Sequence, residues 1–329
     1  MARRAVLSWL PLLVALGAAS LAWAQPAPAS SDTAAKAATS VDALTVVAPK
    51  KYESPQLQAL NFVRSHGAPT RMLGQLARWT DGVCPVTMGL SPDMNAFVSA
   101  RVTAIATEIG GPKAKRSGCK PNVEILFTDD PQALVDKVAR KQSAFLGYHE
   151  ASEAGAMAVV NHPIQAWYLT GIQNDKGQRS IDVPTDNMAS ALEVSQINGG
   201  LQAMEKLSRS APGCPDSHFK ECRSGLFVNV LIVADAKALD GRPIGPVADY
   251  IGLLALSQSR SLDGCDALPS ILDLLSSGCG DRSKPDSLTD TDVAYLKALY
   301  RTNLDTNLSV QKDQIADNMA RNGDSTPHH

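Results

Sequence analysis

The chain has 329 residues, 31 Lys plus Arg against 33 Asp plus Glu, 5% aromatic and 44% hydrophobic residues. A pI of 6.3 argues against a nucleic-acid footprint, which normally leaves the domain pI above about 9. The apolar content excludes wholesale disorder.

Residues 1–24 read as a secretory signal peptide. Arg3 and Arg4 form the charged start, Val6 to Leu21 the apolar stretch, and Ala22-Trp23-Ala24 the small-x-small cleavage site. Pro11 and Gly17 interrupt that stretch, which is shorter than the roughly 20 apolar residues of a membrane span. The mature chain is expected to start at Gln25, to be periplasmic or secreted, and to keep no stable membrane span. Without Arg3 and Arg4 it carries 29 basic against 33 acidic residues, a charge of −4. All six cysteines, Cys84, Cys119, Cys214, Cys222, Cys265 and Cys279, lie in the exported part. An even count in an oxidising compartment reads as three disulfides. Sequential pairing is the expected set: Cys84 with Cys119, Cys214 with Cys222, Cys265 with Cys279. The last two bridges would close loops rich in Gly, Pro, Asp and Ser, each stabilising by roughly 2 to 4 kcal/mol.

Residues 25–51 hold too little large apolar surface to offset their ordering entropy and read as a disordered or extended tether, although Val41 to Val47 could add a strand. The compact part opens at Pro55. Pro92 to Ile109 predicts a helix, with Phe97, Val98, Val102, Ile105 and Ala106 at three-four spacing and Gly110-Gly111 at its end. Val123 to Thr128 predicts a strand, followed by Asp129-Asp130-Pro131 as cap and first turn of a helix through Arg140. Met157 to Asn161, Ile164 to Ile172 and Gln178 to Val183 read as strands, with Asn174 to Gly177 as a hairpin turn. Ser190 to Ser208 suggests a helix interrupted by Gly199-Gly200. Leu226 to Val233, the most apolar run of the mature chain, is expected as a central strand. Pro243 and Pro246 then lead into a buried helix, Val247 to Leu256, and Thr289 caps a last helix through Arg301. Residues 304–329 read as a flexible tail. The expectation is one α+β domain over 52–303, a mixed sheet packed with several helices.

No GxSxG elbow, Walker loop, GxGxxG, HExxH or EF-hand loop occurs. His66, His149, His162 and His218 share no common face in the sequence, and no cofactor or metal is expected. Gly147-Tyr148-His149-Glu150 sets a histidine beside a carboxylate, which as chemistry is a general base and as structure a solvated loop. His162, Trp167 and Tyr168 form a possible ligand edge, yet neighbouring strand residues face opposite ways, which would separate the two rings. Lys113, Lys115, Arg116 and Lys120 surround Cys119 as a basic, solvated loop.

Ala248-Asp249-Tyr250-Ile251-Gly252-Leu253-Leu254-Ala255-Leu256 follows an apolar strand and a loop, and resembles the active helix of the metzincins, whose pattern is His-Glu-x-x-His followed by x-Leu-Gly-Leu. Laid on that pattern, Ala248 and Gly252 stand where the zinc-binding histidines would be and Asp249 where the general-base glutamate would be. The resemblance implies a metzincin-like layout without the zinc site, since alanine and glycine offer no ligand. Downstream, Leu268-Pro269-Ser270-Ile271-Leu272-Asp273 and the segment from Leu288-Thr289 through Asp292 to Leu299-Tyr300 resemble the end of a metzincin-like family of exported bacterial proteins of unknown function. Together the two resemblances imply an exported binding or structural module, not an enzyme, whose partner is an exported protein or envelope component. The alternative is a periplasmic hydrolase using His149, Glu150 and Asp249. A buried Asp249 needs a partner, for which Arg260 and Arg242 are the candidates.

Overall fold

The computed structural model describes residues 53–114, 119–147, 155–182, 223–280 and 283–323. The expected signal peptide, tether and helix over 190–208 lie outside the described residues.

The architecture grows from one long strand. Arg223–Asp235 (β6) has nine buried positions in thirteen, so both its faces need cover. Along one edge it pairs antiparallel with Ile164–Asn174 (β4), with a bulge at Leu169/Thr170. Its other edge is shared, because the two-residue strand Ala77–Arg78 (β1) pairs with Gly225 and Leu226 while Val123–Thr128 (β3) pairs with Val230 to Asp235, both parallel. Pro85–Met88 (β2) extends the sheet beyond β3, and Arg179–Ile181 (β5) extends it beyond β4, giving the order β2-β3-β6-β4-β5. The β4–β5 hairpin closes through Asn174 to Gly177, as expected. Gly177 adopts φ +75° and its N–H donates to the Asn174 carbonyl at 3.0 Å.

Helices cover both faces. Pro55–His66 (α1), Pro92–Glu108 (α2), Ile244–Leu256 (α4), Asp290–Arg301 (α5) and Leu308–Gly323 (α6) bury the larger core with Ile125, Phe227, Val230 and Ile232. Pro131–Lys141 (α3), with Val135, packs against Trp167, Leu231 and Val233 on the opposite face. The starts follow local chemistry: Ser54, Ser91, Asp130 and Thr289 each accept a backbone N–H from the first turn. In α2, Val98, Val102, Ile105 and Ala106 are buried as the spacing requires, whereas Phe97 remains 45% exposed.

Two expectations are corrected. Met157 to Asn161 is not a strand, because side chains take the place of a partner strand. Gln132 receives the Val160 N–H and donates to the Ala158 carbonyl, Gln165 does the same for Asn161 and Val159, and the Trp167 indole donates to the Met157 carbonyl. Nor is 304–323 a tail, for α6 buries Ile315, Ala316, Met319 and Ala320 against α1 and α5. The buried Gln311 latches it, accepting from Leu76 N at 2.9 Å while donating to the carbonyls of Leu304 and Thr306. The described residues accordingly fall in one compact unit.

Cys84–Cys119 and Cys265–Cys279 are disulfides, as expected, with Cα–Cα distances of 6.1 and 4.9 Å. Cys214 and Cys222 lie outside the described residues. No helix among the described residues is long and apolar enough to cross a membrane.

Candidate functional site

The helix singled out in the sequence is α4. Asp235 organises the turn after β6, its carboxylate accepting from the backbone of Lys237 and Ala238. From Val247 to Leu256 every residue of α4 is buried. Such a helix must also have its C-terminal carbonyls satisfied inside the core. Three aromatic donors do this: Tyr168 Oη to Leu254 O at 2.9 Å, Trp79 Nε1 to Ala255 O at 2.8 Å, and Tyr300 Oη to Leu256 O at 3.2 Å. Burial raises the pKa of both the Tyr168 and Tyr300 phenols, so they remain protonated donors.

Positions 248 and 252 share one helical face. Ala248 is fully buried, and a Cβ placed on Gly252 would lie 2.4 Å from Cδ1 of Ile105 on α2. The absence of a side chain at 252 is therefore what lets α2 and α4 approach. Asp249, the lone charged residue of α4, is 3% exposed and engaged by Arg101 of α2 through both carboxylate oxygens, Nε on Oδ1 and Nη2 on Oδ2 at 3.0 Å. Leu288 N donates to the same Oδ2 at 2.9 Å. The expected partners Arg260 and Arg242 are thus replaced by Arg101, whose own pKa is raised by the hydrogen bond to Asp249 against the opposing effect of burial. The signal in the sequence is a single arginine among the apolar residues of α2 and a single aspartate in α4.

The downstream motif has an equally local explanation. Asp292, fully buried in the first turn of α5, accepts Ser270 Oγ at 2.7 Å and Ile271 N at 2.7 Å, together with Thr289 Oγ1 at 2.8 Å and Thr289 N at 3.0 Å. One carboxylate therefore joins the Ser-Ile segment to the Leu-Thr-x-x-Asp segment. Burial raises its pKa, and the four donors oppose that shift.

The possible ligand edge does not assemble. Trp167 is 2% exposed in the core beneath α3, whereas Tyr168 points to the opposite face and spends its hydroxyl on α4. His162 instead lines a cleft of about 510 Å³ with Asn161, Asp263, Cys265, Ser276 and Gly278. Cys265 there has φ +68°, its N–H held by Asp273 Oδ1 at 2.6 Å. Cys265, Cys279 and Asp273 bring three ligand-type atoms within 4.8 Å of one another. With the two sulfurs bonded to each other, however, the group offers no thiolate. His149 and Glu150 lie outside the described residues, so among described residues the hydrolase group reduces to Asp249, already committed to Arg101.

One further cluster has the composition of a catalytic triad without its geometry. Ser65 Oγ and Asp266 Oδ2 both lie against the same nitrogen of the buried His66, Nδ1, at 3.0 and 3.4 Å, and Ser65 donates directly to Asp266 at 2.7 Å. A relay needs the nucleophile on one ring nitrogen and the carboxylate on the other. His66 stacks on Phe62 with ring centroids 3.9 Å apart, ending α1. Compared with known proteins, the chain matches no family, no curated protein and no solved structure.

Proposed function

We propose that the protein is an exported, non-catalytic binding or structural module on a metzincin-like scaffold that lacks the metal site. The packing of α4 carries this reading. At the two positions where a metal-binding helix would present histidines there is no donor atom, and the space a side chain would occupy at 252 is filled by Ile105. A zinc ion that activates water needs three protein ligands and an open position. The residues present do not fit that group, so no metal-dependent step is assigned. The carboxylate in the general-base position is held by a guanidinium and a backbone N–H, which leaves it serving as a cross-link between α2, α4 and the segment before α5.

Two disulfides and the lack of a membrane-spanning helix among the described residues are compatible with export. An exported protein or envelope component is the partner class in keeping with that address. Metal analysis and native mass spectrometry of the purified mature chain test the reading, alongside peptide hydrolysis with and without a chelator. The expected result is no stoichiometric metal and no hydrolysis. Bound zinc, with proteolysis that the chelator abolishes, would overturn it.

A further inference from the structure

We propose that the Cys265–Cys279 bridge gates a metal site: once it is reduced, the two sulfurs and the Asp273 carboxylate hold one thiophilic divalent cation of the zinc class, at a place in the fold distinct from α4. The three donor atoms lie within 4.8 Å of one another. Around a tetrahedral zinc ion, with Zn–S of about 2.3 Å and Zn–O of about 2.0 Å, ligand atoms stand roughly 3.5 to 3.8 Å apart. The carboxylate is therefore already in range, and breaking the sulfur–sulfur bond lets the other two donors spread to that spacing.

The chain around the bridge presents these atoms. Asp273 is 1% exposed, in the short 3-10 helix Ile271–Leu274, and its Oδ1 accepts the Cys265 N–H at 2.6 Å. A carboxylate with one oxygen held by a fixed donor is oriented in the way metal-bound carboxylates are. Gly264 and Cys265 both take left-handed backbone, at φ +66° and +68°, and Cys265 is the sole non-glycine residue with positive φ among the described residues. That turn wraps the carboxylate closely, since a Cβ on Gly264 would lie 2.8 Å from Asp273 Oδ1. Backbone held in so sparsely populated a region persists where its surroundings over-determine it, and such positions cluster at functional sites. Lys284 Nζ braces the same segment, donating to the carbonyls of Asp273 and Ser276. Cys265 lines the cleft of about 510 Å³, which gives a reductant and a cation access to the bridge.

A dithiol opens the bridge by exchange. One of its thiolates bonds to the Cys279 sulfur, and Cys265 leaves as a thiolate beside the Ser276 hydroxyl, whose oxygen is 2.9 Å from Cys265 Sγ and can donate to it. The second thiol of the reductant then displaces Cys279 and closes the reductant's own disulfide, so two electrons and two protons pass to the protein. Two thiolates beside a buried carboxylate would gather three negative charges. A divalent cation neutralises them while the two thiol protons leave to solvent. Two sulfurs and one oxygen select zinc over magnesium or calcium, which take oxygen ligands, and three protein ligands leave the fourth position to water.

The test uses the full mature chain, reduced without air by a phosphine, which opens disulfides without adding a competing thiol. Zinc, and in a parallel series cobalt, is titrated against the oxidised and the reduced protein, with magnesium as control. The reduced wild type is expected to bind one cation more than an equally reduced Cys265→Ser/Cys279→Ser variant, whatever the remaining thiols hold, and to show the matching excess of thiolate-to-cobalt absorption. The oxidised wild type is expected to lack that cation. Asp273→Asn, which keeps the acceptor for the Cys265 N–H, is expected to weaken binding by about tenfold or more. If reduction unfolds the wild type, zinc added beforehand is expected to preserve its circular dichroism and not that of the serine variant. The proposal is overturned if the serine variant binds as many cations as the wild type, if zinc protects neither protein, or if the oxidised chain already binds the same cation.

Discussion

Buried polar residues define this protein at the residue scale, and their partners decide what each can do. Asp249 is held by Arg101 and Leu288 N, so removing the arginine leaves an uncompensated buried carboxylate. Arg101→Met is expected to destabilise by about 2 kcal/mol or more, tempered by the partial solvent access of the arginine. Asp249→Leu together with Arg101→Met should recover part of that loss, and a double-mutant cycle in urea measures the coupling. Glu124 presents the opposite case. Burial pushes its carboxyl pKa above the ordinary value, with the Asn229 amide donating to Oε2 at 2.7 Å in partial opposition. Because the folded state holds the proton more tightly, the stability contributed by protonation is present below the ordinary value and is lost as pH rises through the folded one. Asn229 Oδ1 is also buried without a donor, which a protonated or amidated side chain at 124 could supply. Glu124→Gln is therefore expected to stabilise by about 1 kcal/mol at neutral pH and to lose that advantage in mild acid. Denaturant midpoints across that pH range would show it, and a gain of equal size at both ends would contradict it.

At the scale of elements, α4 and α6 show opposite uses of small residues. Helix propensity alone would make Gly252→Ala stabilising by about 1 kcal/mol. The 2.4 Å approach of Ile105 Cδ1 to the new Cβ reverses the sign. Gly252→Ala is expected to destabilise by about 1 to 3 kcal/mol through overpacking. Ile105→Val, which removes the interfering methyl, should restore most of the loss in the double variant, and thermal melts of the three proteins decide between propensity and packing. In α6 the small residues form the contact, Ala316 and Ala320 lying beside Ile315 and Met319 against α1 and α5. Truncation after Thr302 is expected to expose that surface and abolish a cooperative melt, whereas truncation after Gly323 should leave the midpoint within a few degrees of the full chain. The helix was illegible as sequence because two alanines and a buried glutamine carry little hydrophobic signal. Its latch, Gln311 to Leu76 N, joins residues 235 apart.

For the molecule as a whole, a long central strand takes helices on both faces while disulfides close loops at the periphery. If the chain is exported as proposed, its intact mass is expected to correspond to a start at Gln25, with no thiol reacting with an alkylating agent before reduction. Modified cysteine in the unreduced protein would contradict the expectation of three bridges, and non-reducing peptide mapping would test whether Cys214 and Cys222 form the third. Local chemistry was legible wherever it acts over a few residues: the Pro start of α2, the Thr289 to Asp292 capping box, the β3–Asp130–α3 unit, the Gly177 turn and the apolar run of β6. These depend on backbone conformation and period, which neighbouring residues dictate on their own. Tertiary structure alone decided that Arg101, distant in sequence, neutralises Asp249 and that two glutamines stand in for a strand beside 157–161. Each of these outcomes depends on which groups are brought together once water is excluded, and a buried charge or amide takes whichever partner the packing of helices and strands places within reach.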